Sequence, residues 1–218
     1  ITGLAYGFFH SISAFCNAGF DLMGSISGEF SSLTSFYDNS FIMITVSLLI
    51  ILGGLGYPVI LDVLKNKRFS KLNVHSKLVI VSTAILLLIG FVFILGVEYN
   101  NPDTLGNMNM KGKVLSSIFQ TSTLRTAGFA TVDMASLHQA TKFFMSIIMF
   151  IGGSPAGTAG GVKTVTFVIG LLYVRALMRG DENIHVFKRT IDDQIVKRAL
   201  TIMLISFAIA LTGYFINK

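Results

Sequence analysis

Long, unbroken apolar runs separated by short polar stretches dominate the chain. The run from Leu78 to Val97 has no charged side chain, and as a helix it would be about 30 Å long, enough to cross a bilayer. Two further runs, Phe41 to Leu64 and Val196 to Ile216, are nearly as apolar. The pattern therefore predicts membrane-spanning helices instead of the short periodic stripes of a soluble fold.

Composition and charge support this class and add an orientation. Of the 218 residues, 52% are hydrophobic and 13% are charged, and the net charge is +6. The basic residues cluster beside the apolar runs, chiefly in segments 65–77 and 178–195. Because positive connections stay inside the cell, both segments are predicted to be cytoplasmic, and the positive charge indicates no nucleic-acid partner.

A short motif occurs twice in the chain. The segment from Ser13 to Phe20 aligns with the segment from Ser122 to Phe129, and four of the eight positions are identical. A glycine pair follows each copy, at residues 53–54 and at residues 152–153. The chain is therefore predicted to contain two related units in the same order.

The segment before each motif is too short to cross a bilayer. Leu4 to Cys16 and Val114 to Arg125 would each span roughly 18 Å as a helix, so we expect them to enter the membrane and return. Non-helical backbone at membrane depth is tolerated only inside protein or beside a watery cavity. Two crossings separate the motifs, which gives both units one orientation. The predicted fold class is an all-α multi-pass membrane protein with parallel outer helix, pore loop and inner helix repeats around a central pore, as in potassium channels.

The two motifs have the chemistry of a cation filter. A ring of backbone carbonyl oxygens can replace the water around a cation, and glycine gives the backbone freedom to aim them. The aromatic residue after each glycine is expected to wedge the loop against neighbouring helices. The predicted ion-binding residues are Asn17, Ala18, Gly19, Phe20, Thr126, Ala127, Gly128 and Phe129.

A guanidinium directly before a cation filter needs an explanation. We expect Arg125 to tie the loop backbone to a carbonyl or a carboxylate, either Asp133 or an acid elsewhere in a longer chain. The alternative is that Arg125 extends to the outer interface.

The second inner helix is interrupted by ten residues that include five glycines and a proline. We predict a flexible intramembrane loop that gates the pore, while Lys163 either places a positive charge near the ion path or extends to the interface. A phosphate-binding loop is excluded because Val162 separates Gly161 from Lys163. The predicted gate residues are Gly152, Gly153, Ser154, Pro155, Ala156, Gly157, Thr158, Ala159, Gly160, Gly161 and Lys163.

These three motifs, at 17–20, 126–129 and 152–164, resemble the Trk/Ktr/HKT superfamily of cation transporters. The resemblance is strongest to the membrane subunit of bacterial Ktr potassium uptake systems, and it covers essentially the whole chain. It implies a longer polypeptide with four repeats, of which this chain is a piece. The implied units are 1–64 (pore loop and inner helix of the second repeat), 65–77 (cytoplasmic), 78–177 (the third repeat), 178–195 (cytoplasmic) and 196–218 (outer helix of the next repeat).

The resemblance also implies function and partners. Potassium is the expected substrate, the cell membrane the expected location, and a homodimer the expected assembly. No bound cofactor is expected, since nucleotide would act only through a cytosolic nucleotide-binding regulatory ring that faces segments 65–77 and 178–195.

Other functions remain open from the sequence. A secondary transporter for a small solute could use broken helices as its binding site, a sodium-permeable member of the same superfamily is possible, and a membrane scaffold would use the glycines for close helix packing. An enzyme is not predicted, because no paired acids, no nucleophile with a base and no metal cluster are recognisable.

Overall fold

The computed structural model describes residues 2–29, 31–181, 184–187 and 189–216. The predictions that fall on residues 1, 30, 182, 183, 188, 217 and 218, including parts of segment 178–195, lie outside this description. The helices of the described residues are α1 (Thr2–Phe15), α2 (Gly24–Ser27), α3 (Ser40–Leu55), α4 (Tyr57–Asn66), α5 (Val74–Glu98), α6 (Met110–Thr123), α7 (Gln139–Phe150), α8 (Thr164–Arg179) and α9 (Asp193–Ile216).

Short elements complete the described chain. Two short antiparallel strands, β1 (His185–Val186) and β2 (Arg189–Thr190), lie in the polar segment between α8 and α9 of this mostly helical fold. Single helical turns occur at Thr34–Phe36, Phe69–Lys71 and Pro102–Gly106.

Two helices of the described residues are long and apolar enough to cross a membrane by themselves. They are α5 and the first 21 residues of α9, and the predicted runs Leu78 to Val97 and Val196 to Ile216 lie within α5 and α9. A third span is possible if the bent pair of α3 and α4 is counted as one.

The predicted span from Phe41 to Leu64 is not one continuous helix, because it is divided into α3 and α4. The chain bends by 98° between α3 and α4. Gly56, at φ 86°, adopts a conformation that ends α3 and that residues with a Cβ resist. Pro58 then stands in the first turn of α4, where its missing N–H leaves no hydrogen bond unmade.

The two related units share one hydrophobic core. The short helices α1 and α6 both pack on α3, so that Ala14, Met43, Ile50 and Phe119 are in one buried cluster. Their bounds differ by a few residues from the predicted re-entrant segments. The packing of both short helices on one inner helix fixes the motifs that follow them close together.

A buried carboxylate fixes the end of the long helix α5. Glu98 is fully buried, and its oxygens accept hydrogen bonds from Asn101 Nδ2 (2.6 Å), Thr104 Oγ1 (2.8 Å), the His138 backbone N–H (3.0 Å) and Thr141 Oγ1. These bonds join the end of α5 to the start of α7, which holds the outer and inner helices of this unit together.

Helices α5 and α6 approach closely at a glycine. A Cβ atom placed on Gly90 would lie 2.5 Å from Thr121 Cγ2 of α6, whereas nothing lies within 4 Å of one placed on Gly96 in the same helix.

We therefore expect Gly90→Leu to destabilise the complete protein by about 1–3 kcal/mol, because it forces α5 away from α6. Gly96→Leu is the matched control and should leave the thermal unfolding midpoint near that of the wild type. Equal midpoints for the two variants would contradict the observed packing.

Candidate functional site

The two Gly-Phe loops lie directly against each other. A Cβ atom placed on Gly19 would be 2.5 Å from the carbonyl oxygen of Ala127, and one placed on Gly128 would be 2.9 Å from the Gly19 Cα. The motifs that are repeated in the sequence therefore meet at their glycines. Only residues without a Cβ permit this approach.

The loops also share a backbone conformation. Gly19 and Gly128 have φ values of 72° and 90°, and the residues two positions earlier, Asn17 and Thr126, have values of 50° and 65°. Each loop follows the carboxyl end of a 14-residue helix, α1 or α6. The negative ends of two helix dipoles therefore point toward the loops, which favours a cation there.

Hydrogen bonding separates the carbonyl groups of each loop into two kinds. The Phe20 carbonyl accepts from Ser13 Oγ (2.7 Å), and the Phe129 carbonyl accepts from Thr123 Oγ1 (2.8 Å). Each of these carbonyl groups is therefore hydrogen-bonded to a hydroxyl of the preceding helix. Within the described residues, no hydrogen bond reaches the carbonyl oxygens of 17–19 and 126–128. Ala127 is nevertheless fully buried, and its carbonyl oxygen lies against Gly19.

The two aromatic residues differ in their surroundings. Phe129 is 1% exposed and packs in the shared core, as expected for a wedge. Phe20 is 70% exposed in the described structure, so the expected wedge is not present there.

The segment after the second loop is tied to the segment after the first. The Leu33 N–H donates to the Ala130 carbonyl (2.9 Å), and the Ala130 N–H donates to Ser32 Oγ (3.1 Å). These bonds connect the two units through the residues that follow Phe20 and Phe129 in the sequence.

The glycine-rich stretch between α7 and α8 forms a closed loop at residues 151–163. The Gly152 N–H donates to the Val162 carbonyl (3.0 Å), and the Gly153 N–H donates to the Gly160 carbonyl (3.1 Å). Lys163 Nζ donates to the Ala159 carbonyl (2.8 Å), which places the charge within the loop. The predicted interruption of the helix is thus a compact turn that bonds to itself.

The loop at residues 151–163 docks on the bend between α3 and α4. The Ser154 N–H donates to the Gly54 carbonyl (2.9 Å), and the Thr158 N–H donates to the Gly53 carbonyl (3.1 Å). Both carbonyls belong to the last turn of α3, where helical partners are absent. In return, the Tyr57 N–H donates to the Ala156 carbonyl (3.3 Å).

The same loop also touches both Gly-Phe loops. Asn17 Nδ2 donates to Thr158 Oγ1 (2.6 Å), and Thr158 Oγ1 donates to the Phe15 carbonyl (2.9 Å). The Gly160 N–H donates to Thr126 Oγ1 (2.7 Å). The structure therefore brings the three predicted motifs into one site.

Arg125 is buried without the predicted partner. Its side chain is 1% exposed, and none of its three nitrogens has a hydrogen-bond partner among the described residues, which excludes the interfacial alternative. The prediction that names Asp133 is wrong, because no hydrogen bond joins the two side chains among the described residues. The Asp133 carboxylate instead accepts from Ser136 Oγ (2.6 Å) and the Ala135 N–H (2.9 Å). The same two bonds hold the pKa of Asp133 below its ordinary value.

Sequence analysis missed the supports of the site. They are the hydroxyls of Ser13 and Thr123, the carbonyls of Gly53 and Gly54, and the bend at Gly56. Only Gly56, two positions before Pro58, leaves a recognisable signal in the sequence.

Comparison with known proteins gives consistent relatives. A family model described as TrkH, cation transport protein, matches residues 1–217. The Ktr system potassium uptake protein B of Bacillus subtilis is 37% identical over 214 residues, covering 98% of this chain and 47% of that protein. The potassium/sodium uptake protein NtpJ of Enterococcus hirae is 36% identical over 211 residues, covering 97% and 45%.

A solved structure has the same fold. The potassium transporter TrkH from Vibrio parahaemolyticus superposes with a TM-score of 0.67 at 16% identity, covering 88% of this chain and 40% of that one. This chain thus spans about half the length of the relatives that it matches.

We expect Gly128→Ala in the complete protein to lower the free energy of unfolding by roughly 1 kcal/mol or more, and with it the thermal unfolding midpoint. The new Cβ would meet Gly19 at a positive φ, where alanine is strained. Gly24→Ala is the control, because nothing lies within 4 Å of a Cβ there. A Gly128→Ala midpoint no lower than that of the control would contradict the close approach of the two loops.

Proposed function

Because the chain belongs to the TrkH family of cation transport proteins, we propose that it supplies two of the filter segments of a potassium pore in the cell membrane. The observation that carries this proposal is the pair of facing loops whose carbonyl oxygens at 17–19 and 126–128 accept no hydrogen bond among the described residues. Peptide oxygens that are unsatisfied in this way are the ligands with which a filter replaces the water around potassium.

The carbonyl groups of the two loops bind the ion without a carboxylate. The residues of the two loops, Asn17 to Phe20 and Thr126 to Phe129, are all uncharged. The carboxyl ends of α1 and α6 supply a partial negative charge instead. A potassium ion at this position exchanges water oxygens for peptide oxygens, and it does not meet a fixed charge that would hold it too tightly to leave.

Arg125 supports the filter in this proposal. A buried guanidinium without a partner costs several kcal/mol, and no partner occurs among the described residues. We therefore assign its counter-charge to an acid elsewhere in the longer polypeptide. That ion pair would fix the start of the second filter loop.

Residues 152–163 act as the gate. The loop that they form contacts both filter loops through Thr158 and Gly160, so it stands beside the proposed ion path. Its glycines make an alternative backbone conformation accessible. Ions pass when this loop leaves the filter loops.

The remaining parts of the assembly come from the longer protein. Further repeats complete the ring of carbonyl groups, and the protein forms a homodimer. Segments 65–77 and 178–195 face a cytosolic regulatory ring that binds nucleotide. The exposed rings of Phe69 and Phe187, with Lys77 near both, connect these segments and support a common contact surface.

Sodium is the second candidate ion. It is favoured by one observation, the name of the Enterococcus hirae relative, which is a potassium/sodium uptake protein.

We expect the complete protein in liposomes to take up potassium in preference to sodium. Gly128→Ser should reduce this preference about tenfold, because the added side chain pushes on Gly19 and turns the carbonyl groups away. Gly24→Ser, at an open position, is the control. A complete protein that carries no potassium, or a Gly128→Ser variant with wild-type preference, would refute the proposal.

A further inference from the structure

Two residues at corresponding positions of the filter loops hold the gate loop with their side chains. Asn17 and Thr126 occupy the same place in the repeated motif, two positions before the filter glycine. Asn17 Nδ2 donates to Thr158 Oγ1, and Thr126 Oγ1 accepts from the Gly160 N–H. We propose that Asn17 and Thr126 are positioning residues that latch the gate loop to the filter loops in the closed state. This inference rests on the proposed function.

The first latch is a continuous chain of hydrogen bonds. The Thr158 hydroxyl accepts from Asn17 Nδ2 at 2.6 Å and donates to the Phe15 carbonyl at 2.9 Å. Phe15 is the last residue of α1, so its carbonyl has no helical partner. One hydroxyl of the gate loop therefore accepts from the Asn17 amide nitrogen and donates to a helix end at the same time.

The backbone conformation at these two positions favours glycine, so the side chains that are present need an explanation. Asn17 and Thr126 are in the left-handed region, with φ values of 50° and 65°. Asparagine tolerates this region, whereas a β-branched residue is strained there and glycine is not. A glycine would satisfy the conformation of Thr126 at the lowest cost. What glycine lacks is the hydroxyl that accepts the Gly160 N–H.

The latch couples the gate to the filter. Asn17 and Thr126 each contribute a backbone carbonyl to the proposed ion site and a side chain to the gate loop. Opening of the gate breaks both side-chain bonds and releases the backbone that aims the carbonyl groups. By linkage, whatever changes the filter backbone must also change the stability of the closed gate.

Substitution of Thr158 tests the latch without changing a filter residue, because Thr158 lies outside the filter. Thr158→Val removes the hydroxyl and keeps the shape of the side chain, whereas Thr158→Ser keeps the hydroxyl. In liposomes that hold the complete membrane protein, we expect Thr158→Val to raise basal rubidium flux by at least about fivefold, because the hydroxyl makes two hydrogen bonds and both are lost. Thr158→Ser should stay within about twofold of the wild type.

Thr201→Val is the control for loss of a threonine hydroxyl, since Thr201 is exposed and its hydroxyl bonds, among the described residues, only to the Lys197 carbonyl of its own helix. Where Thr158→Val does not fold, Thr158→Ala removes the same hydroxyl. The latch would be overturned if the wild type conducts and the variant without the hydroxyl has a flux equal to, or lower than, that of Thr158→Ser. A wild type without flux would instead refute the proposed function.

Discussion

The membrane offers no hydrogen-bond partner to an interrupted helix, and this constraint explains how the site is built. The chain interrupts two inner helices, at Gly56 and at residues 151–163, and the two interruptions satisfy each other. The bend frees the carbonyls of Gly53 and Gly54, which accept from N–H groups of the loop at residues 151–163. The two interruptions therefore stabilise each other, which gives the loop a defined docking position.

The carbonyl groups of the filter loops are the exception to this rule. Those of Phe20 and Phe129 are held by hydroxyls of the preceding helices, whereas those at 17–19 and 126–128 accept no hydrogen bond from the described residues. Unsatisfied peptide oxygens are costly at membrane depth unless a ligand or water completes them. The place where hydrogen bonding stops is therefore the place where we propose that a cation binds.

Much of this arrangement could be predicted from the sequence. The repeated motif, together with the exclusion of non-helical backbone from lipid, predicted that the loops around Gly19 and Gly128 share one site. The run of glycines with a proline predicted the interruption of the second inner helix. The bend at Gly56 could not be found from hydropathy, because the apolar run continues through it. The bond between Asn17 and Thr158 joins residues 141 positions apart, and no local pattern marks it. Arg125 was recognised as unusual, but its complete burial depends on tertiary packing.

The location of a bound cation tests the central claim most directly. Crystals of the complete protein grown with rubidium would show its position by anomalous scattering. The account predicts a peak within coordination distance of the carbonyl oxygens of residues 17–19 and 126–128. A peak at carboxylate side chains instead, with nothing between the two loops, would contradict it.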